Sequence, residues 1–229
     1  MFFHKHPYKP FIQKDTKKLI VGTLPPPRFS TGQLLEKDVN FCYGSFYNSL
    51  WLKIDKIHNL NLRYDNSQEA IDQRKQFLID NKIGICDIVE SAERKKVDAS
   101  DIGMQNIKLR DVVDCLKQYP SIEMILFTGG KSKNGPEYFF RKHLKDYNLK
   151  LELVNNEVPR IHKFSLCHPQ LVSGSHRTIK TVSLTSGSGA ANISISQMPL
   201  YKQLRAQSLS IGKNFNTFDF RVMQYSEFL

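Results

Sequence analysis

Short apolar runs alternate with amphipathic stretches along most of the chain. Four of these runs are almost wholly apolar and stop at Gly, Pro or a polar cluster, which is typical of strands buried on both faces of a parallel sheet. They are KKLIVGT (17–23), KIGICDIV (82–89), IEMILFTGG (122–130) and TIKTVSLTSGSGAAN (178–192), the last of which runs into a loop of small residues.

The stretches between these runs carry apolar residues at helical spacing. They predict helices over residues 68–81 and 107–120, the second of which ends at Pro120, and a further helix that begins at Pro136. A closing helix is interrupted near Pro199. Strands that alternate with helices predict an α/β protein, here a three-layer α/β/α fold with a central, mostly parallel four-stranded sheet.

The 229 residues suffice for one domain with a substantial core, so we expect a single domain over residues 1–229. The segment 208–229 is aromatic and basic, and it either packs on this domain or forms a mobile C-terminal extension. No run of about 18 apolar residues predicts a membrane span, and MFFHKHPYKPF lacks the apolar stretch of a signal peptide. We therefore expect a soluble, cytoplasmic protein.

The net charge and the spacing of the cysteines exclude few classes of function. Lys and Arg outnumber Asp and Glu by 33 to 22, which gives a net charge of +11. Such a surface is either simply solvated or an electrostatic footprint for nucleic acid. The cysteines are too widely spaced for a zinc motif, and free thiols in a reducing compartment are favoured over an iron–sulfur cluster. They are Cys42, Cys86, Cys115 and Cys167.

The carboxyl ends of the four predicted strands carry small and polar residues: GTLPPP, CDIVES, FTGGKS and LTSGSGAAN. Ligands of parallel sheets bind beyond these ends, so we expect a site there. GGKS is not a Walker loop, because Ile125 stands where the pattern needs its first Gly. Asn48, inside the aromatic segment YGSFYNSLW, either caps a helix over residues 49–58 or holds a water beside a pocket, and the two roles are compatible.

Five segments resemble, in order, the motif series of the uracil-DNA glycosylase superfamily, and most closely its hypoxanthine-DNA glycosylase-like branch. They are LIVGTLPPP, FCYGSFYNSLWLKI, GICDIVESAERKKVDASDI, ILFTGGKS and VSLTSGSGAAN. Members of that branch carry G-[ST]-x-P, Y-Y-G-H-P-x-N-x-F-W, L-W-D-V, F-T-N-G and P-S-x-S-P-A-N. The resemblance covers residues 19–204 and implies a monofunctional DNA glycosylase. Such an enzyme hydrolyses the N-glycosidic bond of a flipped deaminated base, uracil or hypoxanthine, without a metal, an organic cofactor or an obligate protein partner.

Carried over by position, the resemblance assigns Asn48 the orientation of the attacking water, and Trp51 packs behind it. The base pocket would be formed by Gly22, Thr23, Leu24, Pro25 and Tyr43. The second motif, which contacts the DNA backbone and the departing base, would contain Thr185, Ser186 and Ser188. Basic residues near predicted strand ends are expected to contact phosphates: Arg28, Lys131, Lys133, Arg177 and Lys180.

Several positions depart from the branch. Ser45-Phe46 replaces His-Pro, Gly129 replaces the Asn of F-T-N-G, and the first motif has neither Asp nor Asn, so the resemblance leaves water activation to Asn48 alone. An alternative second motif, CHPQLVSGS (167–175), resembles H-P-S-x-L-S of the uracil-specific branch; we favour TSGSGAAN because it ends the last apolar run.

Two other functions stay open. One is a nucleic-acid-binding protein on the same scaffold without glycosylase activity, which the altered motifs keep in play. The other, weaker, is a small-molecule hydrolase that uses Cys167 and His168 as nucleophile and base. Neighbours along a strand point to opposite faces, which disfavours this pair.

Overall fold

The computed structural model describes residues 1–167, 176–187 and 189–229. The described strands are β1 (Phe2–Lys5), β2 (Lys18–Gly22), β3 (Ile83–Asp87), β4 (Val89–Arg94), β5 (Met104–Leu109), β6 (Met124–Phe127), β7 (Glu152–Asn155), β8 (Arg160–Cys167) and β9 (His176–Ser183). The described helices are α1 (Pro27–Thr31), α2 (Leu50–His58), α3 (Gln68–Asp80), α4 (Val112–Gln118), α5 (Pro136–Lys145), α6 (Gly189–Gln197), α7 (Pro199–Ser210) and α8 (Thr217–Ser226).

The larger of two sheets has the strand order β3-β2-β6-β9-β8-β7. Its first four strands are parallel, and Ile20 of β2 lies between Ile85 of β3 and Leu126 of β6. These are the four strands that the apolar runs predict. The predicted strand count is wrong, because β8 and β7 add two antiparallel strands at one edge. All four residues of β7 are exposed, so this edge strand has no apolar run to reveal it.

A smaller antiparallel sheet is formed by β1, β4 and β5. Helical spacing predicts one continuous helix over residues 107–120. This prediction is wrong for residues 107–109, because they form the end of strand β5. The helix α4 begins only at Val112, where the Asp111 carboxylate caps it by accepting a hydrogen bond from the backbone N–H of Asp114. Ile107 and Leu109 of β5 lie two apart, which is the period of a strand.

Successive residues of β2 point to opposite faces of the larger sheet. Leu19 and Val21 pack in one core cluster with residues of α4 and α5. Ile20 packs in a second cluster with residues of α2, α3 and α8. Helices therefore cover both faces of the sheet, and the predicted three-layer α/β/α arrangement is confirmed.

Helix α8, in the segment 208–229, packs against the rest of the chain. Helix α8 begins with a capping box between Asn216 and Asp219. Tyr225 of α8 is buried in the same core cluster as α2. Helices α6 and α7 are separated by a break before Pro199, as the sequence predicts.

Two expectations about the chain as a whole can be compared with the described residues. Cys42, Cys86 and Cys115 carry free thiols there, in agreement with the prediction. Among the described helices, none has the length and apolar character needed to cross a membrane.

Candidate active site

A cavity of about 350 Å³ opens beyond the carboxyl ends of the parallel strands, at the edge of the sheet where the sequence predicts a site. Its walls come from α2, α8 and the loops that follow the parallel strands. The lining segments include 23–28, 43–48, 99–101, 128–136 and 186–187. All five segments that resemble family motifs therefore meet at this cavity, and the third of them contributes both its loop residue Asp101 and its strand-end residue Asp87.

The loop after β2 forms one wall with Thr23, Leu24 and Pro25. Gly22 lies behind this wall. A Cβ at Gly22 would lie 2.1 Å from the hydroxyl oxygen of Tyr43 and 2.7 Å from Oδ1 of Asp87. Any larger residue would displace these two cavity-lining side chains. Burial raises the pKa of Tyr43 well above its ordinary value, so its hydroxyl stays protonated at neutral pH.

Arg28 lines the cavity, but its charge is used inside the protein. Its guanidinium donates to both carboxylate oxygens of Asp38, at 2.6 and 3.0 Å, and to Oγ of Ser45 at 2.7 Å. Burial acts to raise the pKa of Asp38, but the hydrogen bonds from Arg28 and from two backbone N–H groups hold it below the usual value. A phosphate would have to compete with Asp38 for Arg28, whose evident task is to fix the aromatic loop.

Asn48 ends a short 3-10 turn, Phe46–Asn48, and lines the cavity. Its Oδ1 accepts a hydrogen bond from the backbone N–H of Leu50 at 3.3 Å. The N-cap residue of α2 is Ser49. A carbonyl oxygen has two lone pairs, so Oδ1 can support the helix start and still accept a hydrogen bond from a water. Trp51 lies behind the turn and donates its indole N–H to the carbonyl oxygen of Cys42 at 2.9 Å.

The loop after β9 closes against the Asn48 turn. A Cβ at Gly187 would lie 2.3 Å from the backbone carbonyl oxygen of Asn48, so this approach requires a glycine. The neighbouring Ser186 lines the cavity, and its carbonyl oxygen accepts a hydrogen bond from Nε of Arg221 at 2.8 Å. The second motif and the aromatic segment therefore form one wall of the cavity. Ser186 and Asn48 contribute to this wall although they are 138 positions apart in the sequence.

Other predicted residues of the second motif are placed differently. The backbone N–H and the hydroxyl of Thr185 both donate to Oε1 of Gln224, at 2.8 and 2.7 Å, so Thr185 anchors α8 and is absent from the described lining of the cavity. Ser188 lies outside the described residues, as do residues 168–175. The role of Ser188, the alternative second motif and the pairing of Cys167 with His168 stay predictions.

Asp87, at the end of β3, lines the cavity, although no sequence motif assigned it a role. It is 5% exposed, and its Oδ2 accepts a hydrogen bond from Nε2 of His6 at 2.8 Å. Nδ1 of His6 accepts the backbone N–H of Tyr8, which leaves the imidazole proton on Nε2. Oδ1 of Asp87 is buried and has no partner at full hydrogen-bond geometry among the described residues, although the nearby Tyr43 side chain also interacts with this carboxylate. Leaving such an acceptor unsatisfied costs about 1–3 kcal/mol, which a ligand N–H would recover.

Asp101 is a second carboxylate in the lining, carried by the connection between β4 and β5. Its Oδ1 accepts a hydrogen bond from Oγ1 of Thr23 at 2.9 Å, although the two residues are 78 positions apart. Burial raises the pKa of Asp101 to about 6, and the carboxylate of Asp87 adds to the shift. A group with this pKa can exchange protons near neutral pH. No local pattern marks Asp101, because only the fold brings it to Thr23.

Lys53 occupies a position of α2 that helical spacing gives to an apolar residue. It shares the buried face of the helix with Leu50 and Ile54, is 1% exposed and lines the cavity. Its Nζ lies 4.0 Å from the centroid of the Tyr225 ring. Burial, together with the charge of Arg221, lowers the pKa of Lys53 to about 7. A lysine on the apolar stripe of LWLKIDKI is the signal by which the sequence could have singled it out.

The lysines predicted after β6 lie at the rim of the cavity. Lys131 and Lys133 are exposed, and Gly130 and Ser132 of the same loop line the cavity.

Arg177 and Lys180 are absent from the described lining of the cavity, and their expected contact with phosphates stays a prediction. Arg177 starts β9 and donates to the carbonyl oxygen of Leu116 at 2.7 Å, at the end of α4. Lys180 lies opposite Met124, the first residue of β6. Both residues lie toward the amino ends of the parallel strands, away from the carboxyl edge that holds the cavity.

Comparison with known proteins shows a likeness in fold. No family model matches the sequence, and no curated protein matches it. The fold is similar to the solution NMR structure of a protein from Methanosarcina acetivorans whose assignment as a uracil DNA glycosylase is itself provisional. The TM-score is 0.51 at 17% sequence identity, over 96% of this chain and 99% of that chain. The chain therefore has a uracil-DNA-glycosylase-like fold.

Proposed function

We propose that the chain is a DNA glycosylase that hydrolyses the N-glycosidic bond of a flipped deaminated base, uracil or hypoxanthine. One observation carries the proposal: a single cavity at the carboxyl edge of the sheet unites Asn48, Tyr43 and Ser186 with two carboxylates, Asp87 and Asp101. These groups are of the types that hold a planar polar base and a water. The uracil-DNA-glycosylase-like fold supports the same conclusion.

The reaction needs a positioned water and stabilisation of positive charge on the sugar, because cleavage passes through an oxocarbenium-like state. In the proposed mechanism Oδ1 of Asn48 orients the water, and the carboxylate of Asp101 accepts its proton. An amide is a poor proton acceptor, whereas a carboxyl with a pKa of about 6 is mostly ionised at pH 7 and still basic enough to act. The negative charges of Asp87 and Asp101 stabilise the cationic sugar.

Recognition of the base is assigned to Asp87 and Tyr43. Uracil and hypoxanthine each carry a ring N–H on the edge remote from the sugar, and Oδ1 of Asp87 is the buried acceptor without a partner at full hydrogen-bond geometry among the described residues. The Tyr43 ring offers a surface on which a flipped base stacks, worth about 1–3 kcal/mol. A base that is methylated at this ring nitrogen should therefore bind poorly.

The proposed substrate is DNA, because the glycosidic bond of a duplex becomes accessible only when the nucleotide flips into a pocket. The net charge of +11 favours association with a polyanion. Lys131 and Lys133 are suited to contact phosphates at the rim. Tyr47 is 76% exposed at the cavity mouth and offers its ring to the opened duplex.

An excision assay tests the proposal. Duplexes with one uracil, hypoxanthine or xanthine are incubated with the protein and treated with alkali, which breaks the strand wherever a base has been removed. We expect excision of uracil or hypoxanthine, and a single-turnover rate about 100-fold lower for Asn48→Ala and for Asp101→Asn. Asn156→Ala changes an exposed Asn between β7 and β8 and should leave the rate unchanged. Wild-type rates from folded Asn48→Ala would contradict the role of Asn48.

The second candidate is a nucleic-acid-binding protein without glycosylase activity. It is favoured by Gly129, which lines the cavity where the resemblance expects an Asn, and by Thr185, which turns to α8. Lesion duplexes that bind with strong salt dependence but are never cut would support this candidate over the first.

A further inference from the structure

Lys53 is a buried amine in the cavity that the proposed hydrolysis does not use. It stands on the buried face of α2, two residues before Asp55 and five after Asn48, and its Nζ packs over the ring of Tyr225. The described residues offer this amine no carboxylate partner; the charge that acts on it is the guanidinium of Arg221, which repels it.

A structural role does not account for this arrangement. Burial of an ammonium group is costly even after the protein relaxes. Contact with a single aromatic ring offsets only part of that cost. The Tyr225 hydroxyl supplies no compensating anion, because burial raises the pKa of Tyr225 above its ordinary value. Burial and the repulsion from Arg221 together lower the pKa of Lys53 to about 7, so much of the amine is uncharged at neutral pH.

An uncharged lysine amine is a nucleophile toward aldehydes, and desolvation beside a second cation is a known way to activate it. Removal of a base from DNA leaves a deoxyribose whose C1′ opens to an aldehyde. We propose that Lys53 condenses with C1′ of an abasic deoxyribose in this cavity and cleaves the strand on its 3′ side by β-elimination. The inference rests on the proposed function for the source of the aldehyde.

The step balances without an oxidant or a reductant. The amine attacks C1′, and the carbonyl oxygen takes one proton from the amine and one from solvent and leaves as water. A cationic imine then joins Nζ to C1′. The imine acidifies C2′, and a base takes one C2′ proton; the carboxylate of Asp101 is the candidate acceptor in the lining. The C3′–O bond then breaks, a double bond forms between C2′ and C3′, and the phosphate leaves with the electron pair. Water hydrolyses the unsaturated imine and releases Lys53.

Borohydride trapping on preformed abasic DNA tests the inference. A uracil duplex is first converted to abasic DNA by a separate glycosylase, then incubated with the protein and sodium borohydride, which reduces an imine to a stable secondary amine. We expect a covalent protein–DNA adduct that peptide mass mapping places on Lys53, and strand breaks without alkali when borohydride is omitted. Lys53→Met and Lys53→Arg should both lose the adduct and the breaks, because neither side chain forms an imine.

A matched control is Lys18→Met. Burial also lowers the pKa of Lys18, but this residue begins β2 at the opposite edge of the sheet and donates to the carbonyl oxygen of Leu229 at 3.2 Å. Its adduct should equal that of the wild type. Absence of an adduct with the wild type, mapping to another amine, or undiminished trapping by either Lys53 variant would overturn the inference.

The two proposals fail separately in these experiments. Trapping on preformed abasic DNA does not require base removal, so an adduct without excision would refute the glycosylase proposal and leave the reaction of Lys53 standing. Excision with no adduct would refute the inference alone. Circular dichroism of each variant establishes that a missing adduct reflects chemistry and not loss of the fold.

Discussion

Lys53 and Arg74 are buried cations in the same aromatic core, and the protein holds them in opposite ways. Both are 1% exposed, Lys53 on α2 and Arg74 on α3. The guanidinium of Arg74 donates to the carbonyl oxygens of Arg63 and Ala70 at 2.9 and 2.7 Å. Lys53 has one aromatic ring and no described carboxylate, and it faces the large cavity.

The aromatic contacts sharpen the difference. Arg74 lies between two rings, 5.3 Å from the centroid of Trp51 and 5.0 Å from that of Tyr64. Burial still lowers the pKa of Arg74, to about 10, but this leaves it charged at neutral pH. A buried cation with carbonyl partners and rings on both sides stabilises the fold. One that has a single ring, a repelling neighbour and access to a cavity is suited to chemistry.

The largest effect on stability is expected for Arg74→Met. The change removes two hydrogen bonds from a charged donor and leaves the carbonyl oxygen of Arg63 without that partner. We expect the free energy of unfolding to fall by about 3 kcal/mol. Urea denaturation measures the change, and trapping of abasic DNA by the folded variant should persist. An unchanged unfolding midpoint would show that the comparison misjudges Arg74.

Lys53→Met should change stability in the other direction. Replacement of a buried, uncompensated charge by an apolar side chain of similar length removes the desolvation penalty. We expect the free energy of unfolding at pH 7 to rise by about 2 kcal/mol, measured by the same denaturation. A destabilised variant would mean that the contact of Lys53 with Tyr225 is structural after all.

The gain of Lys53→Met should also depend on pH. The pKa of Lys53 is about 7 in the folded protein and 10.5 ordinarily, so between these values the unfolded chain binds more protons than the folded one. Wild-type stability should therefore rise through this window, by up to about 1.4 kcal/mol per pH unit, while Lys53→Met lacks this contribution. Arg221 and Tyr225, the groups that face the amine from α8, stay cationic and neutral between pH 7 and 9.

The advantage of Lys53→Met over the wild type is thus expected to shrink from pH 7 to pH 9. Denaturation of both proteins at three pH values across this range measures it, and taking the difference removes the titrations that they share. A constant difference would place the pKa of Lys53 outside the window and weaken the case for a neutral amine.

The strands of the fold were predictable where both of their faces are buried. The apolar runs around Ile20, Ile85, Leu126 and Val182 carry their own signal, because a parallel strand covered by helices on both sides excludes polar residues. The exposed edge strand β7 has no such run. The prediction of one helix over residues 107–120 failed because β5 and α4 follow each other closely. A strand and a helix within one apolar stretch resemble a single amphipathic helix.

The site was predictable only as far as its groups lie in recognisable loops. Asn48 and Tyr43 lie in one short aromatic segment, and the structure brings both to the cavity. Asp101 joins Thr23 across 78 residues by tertiary folding alone. Arg177 lies away from the cavity, which the sequence could not show because a basic residue beside a strand does not tell which end of the strand it occupies. Lys53 had a readable signal, a charge on an apolar helical stripe.

The central claim is that this cavity removes a deaminated base from DNA. The most direct test is a single-turnover time course of the wild-type protein on duplexes with one uracil or one hypoxanthine, each sample divided and half of it treated with alkali. The account predicts strand breaks at the lesion after alkali for at least one of the two bases, with part of the breaks already present without alkali. Strands that stay intact after alkali with both bases, under conditions where the folded protein binds the duplex, would contradict it.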